Sequence, residues 1–162
     1  MGNYRYDNRS EDQFKKDIKS RTQEERALFI LWLDLVERTS GVRPKYTDTG
    51  CGQTGELLTD NEVSMDPDFN VDGYGKVEVK FSKPFLKKFF HLKASQVKSY
   101  VREGATILMI NGSNLPIPQY TMLKTLALQE IIDTCKIIPW TGFGGKPSYK
   151  IQVDKFIWRS LK

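Results

Sequence analysis

Between Glu24 and Arg38 the chain is apolar almost all round, through Leu28, Phe29, Ile30, Leu31, Trp32, Leu33, Leu35 and Val36. Its length and composition predict a substantially buried helix. Two capping-box spacings precede that run, Ser10 with Gln13 and Thr22 with Glu25, so a helix begins at one or both points. Gly41 ends it. Residues Pro44 to Glu56, rich in Gly and Thr, read as a loop with room for a short strand. Phe69 to Asp72 then leads through Gly73-Tyr74-Gly75 into Lys76–Phe81, whose strict alternation has the period of a strand with two different faces. After Pro84 an aromatic and basic segment (Phe85, Lys87, Lys88, Phe89, Phe90, His91) runs to a helix over Ala94–Glu103, stopped by Gly104. Thr106–Ile110 is a continuous apolar run, the mark of a strand buried on both faces. Strand, helix and buried strand make a βαβ unit, expected to cross over right-handed. Beyond the Asn111-Gly112 turn the pattern predicts a helix over Gln119–Lys136, started by Pro118 and amphipathic through Met122, Leu123, Leu126, Ile131 and Ile132. A Gly-rich loop (Gly142 to Gly145), an alternating strand (Tyr149, Ile151, Val153) and a short final helix follow. The prediction is one α/β domain, a central mixed β-sheet flanked by helices, with residues 1–9 a flexible arm and 111–162 a variable C-terminal elaboration.

Composition narrows the function class. With 162 residues, 39% hydrophobic and 28% charged, the chain is an ordinary globular domain that supports a core without staples. No stretch approaches the ~18–20 apolar residues of a membrane span. The start lacks the apolar core of a signal peptide, and Tyr6 stands where a myristoylation motif needs Ser or Thr. Two cysteines, Cys51 and Cys135, are no disulfide framework, so a reducing, cytoplasmic setting without a membrane partner is expected. The single histidine, His91, argues against a His-rich metal centre and against a Ser-His-Asp triad. Gly142-Phe143-Gly144-Gly145-Lys146 lacks the spacing of a P-loop and reads as a turn.

Charge is more informative in its arrangement than in its sum of +5. Glu56 to Asp72 holds six acids and no base, whereas Lys76 to Arg102 holds eight bases and one acid, Glu78. Within this stretch Pro67-Asp68 stands ten residues before Glu78-Val79-Lys80, across the predicted hairpin. Residues i and i+2 of a strand project to one side, so Glu78 and Lys80 emerge together and the hairpin can bring Asp68 beside Glu78. Two such carboxylates repel unless a cation lies between them, and a small set of hard oxygen ligands suits Mg²⁺. Asp66 and Asp72 compete with Asp68 for the role of metal ligand, Asp72 being nearer to Glu78 in sequence. Asp17-Ile18-Lys19 shows that the tripeptide alone is common, since it repeats the spacing with no strand pattern around it.

From Glu25 to about Ile110 the chain resembles the PD-(D/E)xK nuclease superfamily. Within that stretch, Glu78-Val79-Lys80, Phe90-His91-Leu92, Gln96-Val97, Gly104-Ala105 and Ile107-Leu108, with Glu25-Arg26 on the first helix, look most like archaeal-type Holliday-junction resolvases and related bacterial and phage resolvases. Small homing endonucleases of intron and phage origin share the same catalytic core. The resemblance implies a restriction-endonuclease-like core in which Asp68 and Glu78 bind Mg²⁺, Lys80 assists catalysis, and Glu25 and Gln96 support the site. It implies a DNA endonuclease, commonly a homodimer or higher homo-oligomer, in a prokaryotic or phage-infected cell. Double-stranded DNA would be met by Lys83, Lys87, Lys88, Lys93, Lys98 and Arg102, with His91 among them and Lys146 from the Gly-rich loop. Lysines on phosphates give affinity without sequence information and a strong salt dependence. Structure-selective cleavage of branched DNA is the leading expectation. The alternatives are a site-specific homing or restriction-type endonuclease and a DNA-binding module with an inactive site.

Overall fold

In the computed structural model the Ser10 side chain accepts a hydrogen bond from the Gln13 N–H at 3.2 Å and starts helix α1, Glu11–Ser40. The first of the two capping boxes is therefore the one in use; α1 runs straight through Thr22, and Glu25 turns instead to Arg21. Gly41, at φ 79°, closes the helix in the left-handed conformation that residues other than glycine adopt only at a cost. The structure describes residues 10–49 and 67–162. The N-terminal arm expected over 1–9, most of the acidic run, Asp66 and Cys51 lie outside the described residues.

Strands β1 (Tyr46–Asp48), β2 (Phe69–Val71) and β3 (Gly75–Ser82) pair antiparallel in turn. Strand β4 (Phe89–Lys93) and helix α2 (Ala94–Glu103) lead to β5 (Thr106–Asn111), which pairs parallel with β3. Every residue of β5 is buried, as its unbroken apolar run predicts. Strand β6 (Gln119–Leu123), helix α3 (Thr125–Thr134), β7 (Lys136–Trp140), β8 (Lys146–Gln152) and β9 (Arg159–Ser160) complete the set. The result is an α/β domain with a six-stranded mixed sheet in the order β1-β2-β3-β5-β6-β9 and three helices, together with a three-stranded antiparallel sheet, β4-β8-β7.

Two expectations change. The helix predicted over Gln119–Lys136 is three elements, because β6 supplies the antiparallel neighbour that β5 needs and only Thr125–Thr134 coils. The final helix is a 3₁₀ turn at Val153–Lys155 followed by β9. Among the described residues no helix is long and apolar enough to cross a membrane.

The large sheet divides the core. On one face Leu28, Phe29, Trp32 and Leu33 of α1 pack on Phe69, Val77, Val79, Leu108 and Ile110. On the other, Ile107, Met109 and Leu123 meet α2, α3 and the inner face of the small sheet (Phe90, Leu92, Tyr149, Ile151). Each such side chain contributes about 1.5–3 kcal/mol by leaving water. β3 lies between the two cores with alternate residues in each direction, and this is what aims its polar pair.

Candidate active site

The hairpin register decides which acids meet. Phe69 stands opposite Val77 and Val71 opposite Gly75, so one step beyond Phe69 the chain brings Asp68 level with Glu78. The two interlock: the Asp68 N–H donates to Glu78 Oε2 at 3.2 Å, and the Val79 N–H donates to Asp68 Oδ2 at 3.0 Å. Glu78 is 5% exposed, and Lys80 donates from Nζ to its Oε1 at 2.6 Å. Tyr100, buried on α2, gives its hydroxyl hydrogen bond to the same carboxylate. Glu25 faces the group from α1 through space, while Arg21 Nε donates to Glu25 Oε1 at 3.3 Å.

Electrostatics follow from this packing. Burial first, then the charges of Glu78 and Glu25, push the Asp68 carboxyl up to about 7, against the Val79 N–H and Lys80, which favour the carboxylate. Glu25 is also raised, by burial first, with Lys80 and Arg21 opposing and Glu78 adding. Burial disfavours the Lys80 ammonium, but Glu78, Asp68 and Glu25 outweigh it and hold its pKa above the ordinary lysine value. Lys80 is therefore a cation at neutral pH. The Tyr100 hydroxyl is pushed up by burial and by Glu78, so it stays a phenol and a donor.

A groove of about 570 Å³ opens beside Lys80, and Gln96, His91 and Lys93 line it. Lys93 is half-buried; burial lowers its pKa, and Lys80, Lys146 and Arg21 lower it further, which places four cations around one space. The remaining expected residues lie elsewhere. Asp72 sits in the turn beyond Val71, exposed and about 13 Å along the ribbon from the level of Glu78 at ~3.3 Å per residue. The shorter sequence separation misleads because the chain reverses between Asp72 and Glu78. Lys83 pairs with Glu24 at 3.4 Å on the outer side of α1. Lys87 and Lys88 are exposed before β4. Lys98 and Arg102 are exposed on α2, roughly 200° and 240° around the helix from Gln96, and so point away from the groove.

Sequence reasoning missed Arg21, Tyr100, Trp140 and Phe143. The first two stand four residues from Glu25 and Gln96 on the same helix faces, a spacing that was readable; the two aromatics arrive by long-range pairing and leave no local sign. Among the described residues no three His, Cys, Asp or Glu side chains group closely enough to hold a metal ion. Asp68 and Glu78 form a pair, with Glu25 behind. As a donor set the pair fits a hard divalent cation: two carboxylates, one of them raised to about 7 by burial and by the charges beside it, are what such an ion would relieve. Compared with protein-family models, with curated proteins and with solved structures, the chain matches none.

Proposed function

We propose that the chain is a Mg²⁺-dependent DNA endonuclease selective for branched DNA, in which Asp68, Glu78 and Lys80 carry phosphodiester hydrolysis. The observation that supports this reading is the convergence of two acids and an ammonium across one hairpin, the ammonium's residue, Lys80, lining a groove together with Arg21 and Lys93. A structural ion pair needs one carboxylate; here a second is packed against it at the expense of its own ionisation. Asp68 and Glu78 would hold the metal, which when bound polarises the phosphoryl group and makes a water more acidic. Lys80 acts through its charge. An ammonium has three donors and Glu78 takes one, leaving Lys80 able to orient the attacking water and to offset charge building on a phosphoryl oxygen. Tyr100 and the Asp68 N–H fix the Glu78 carboxylate, so the group does not reorganise during the step.

The test incubates four-way junctions and mixed linear duplex, with and without Mg²⁺, with the wild type, Lys80→Ala and Glu78→Gln. Wild type is expected to nick the junction only with Mg²⁺, and each variant to lose about 100-fold or more in rate while still binding. Circular dichroism checks the fold of Lys80→Ala, and Glu78→Gln keeps the carboxylate's shape. Full cutting by Lys80→Ala would overturn the site. A discrete cut on one duplex sequence would replace branch selectivity with sequence selectivity, and no metal-dependent cutting at all would leave a binding module.

A further inference from the structure

The groove beside Lys80 is walled by the outer face of the small sheet, and pairing fixes what that face displays. His91, Lys150 and Lys136 stand level across β4, β8 and β7, and Trp140 stands level with Lys146; residues directly opposite share a face. The His91 ring and the Trp140 indole stack, with centroids 3.7 Å apart and planes 5° apart. Lys93 Nζ lies 5.3 Å over the Phe143 ring, and Lys150 Nζ 4.2 Å over Phe89. His91 Nε2 is buried with no hydrogen-bond partner among the described residues. The indole's place is built into the chain: a Cβ on residue 142 would come within 2.5 Å of Trp140 Nε1, so Gly142 is what lets the ring lie there. No described residue lining the groove is acidic.

Aromatic rings interleaved with lysines suit a ligand that alternates flat rings with anions. Base stacking on such rings is worth ~1–3 kcal/mol per base and tolerates any base. A base inside a duplex has both faces covered and cannot join the stack. We infer that this groove receives an unpaired nucleotide next to the scissile phosphate, its base extending the His91–Trp140 stack and its phosphates against Lys93 and the cations around it. The inference rests on the nuclease reading above and narrows its substrate to DNA with an unpaired stretch at or near the branch.

The test titrates tryptophan emission in EDTA, where no hydrolysis occurs, with a thymidine decamer, a blunt duplex of equal length and a glutamate-rich decapeptide. Of the three tryptophans, Trp32 is buried and Trp158 packs on Phe90 behind the small sheet with its Nε1 donating to the Val153 carbonyl, so Trp140 is the ring placed to respond. The single strand is expected to quench at about tenfold lower concentration than the duplex. Read instead by the anisotropy of a fluorescein-labelled decamer, a signal that does not depend on the indole, Trp140→Leu and Gly142→Ala should each weaken binding about tenfold and Trp140→Phe keep most of it. Equal affinity for duplex, equal affinity of Trp140→Leu, or peptide binding as tight as the strand's would overturn the inference. Selective quenching without Mg²⁺-dependent cutting of any substrate sinks the nuclease reading alone; cutting without selective quenching sinks the groove assignment alone.

Discussion

Asn111, 1% exposed at the end of β5, gives its whole amide to one residue. Its Oδ1 accepts from the Leu86 N–H at 2.7 Å, and its Nδ2 donates to the Leu86 carbonyl at 2.9 Å. Leu86 lies in the groove wall, so this clasp fixes the segment that leads from β3 into β4. Removing it strands two backbone groups, each at ~1–3 kcal/mol. Asn111→Ala is therefore expected to lower the free energy of unfolding by about 2–4 kcal/mol in urea denaturation; a change under about 0.5 kcal/mol would mean that water satisfies both groups. The Asn111-Gly112 pair is legible in the sequence as a turn, but not the clasp, because its partner is 25 residues away. Asp68 is the contrary case. A hairpin fixes its own register, so ten residues of separation are enough to name the partner.

At the scale of elements, α1 meets β2 through a face-to-face stack of Phe29 on Phe69, centroids 3.8 Å apart and planes 3° apart. Phe69 is the neighbour of Asp68, so this contact carries the helix's hold on the site. Phe29→Ala is expected to cost about 3–5 kcal/mol of stability. Phe29→Leu should cost less in denaturation yet still slow junction cutting, since it lets β2 shift; undiminished cutting would show that the hairpin's hydrogen bonds place Asp68 unaided. The elements that sequence reading missed are those whose partners are distant. Thr121 and Leu123 are buried at a spacing of two, but the long apolar stretch through Ile132 and the initiating Pro118 suggested a helix until β5 and β9 claimed its first residues as a strand. No glycine marks the end of α3, where Cys135 goes extended at φ −87° and ψ 146°. In β4 the adjacent Phe89 and Phe90 hide an alternation in which Phe90 and Leu92 are buried and Phe89, His91 and Lys93 face outward.

For the whole molecule, packing acids together makes stability depend on pH. Folded, Asp68 keeps its proton up to about 7; the unfolded chain releases it near 3.8. Between those values the folded state binds the extra proton, so this contribution is complete below 3.8 and is lost as pH rises through about 7. Glu25 is raised as well and adds in the same direction. In EDTA the melting temperature of Asp68→Asn should vary less than that of the wild type between about pH 5 and about pH 8, and should exceed it at the upper end. Parallel curves would mean that Asp68 is ionised throughout.

The small sheet has one further consequence. Its outward rings and ammonium groups ride on strands whose reverse side is anchored among Phe90, Leu92, Tyr149 and Ile151. If the groove takes an unpaired nucleotide as proposed, the wall is already in place before the encounter, the entropy of ordering would fall on the nucleic acid, and discrimination among ligands would come down to how readily each releases a base from its own neighbours.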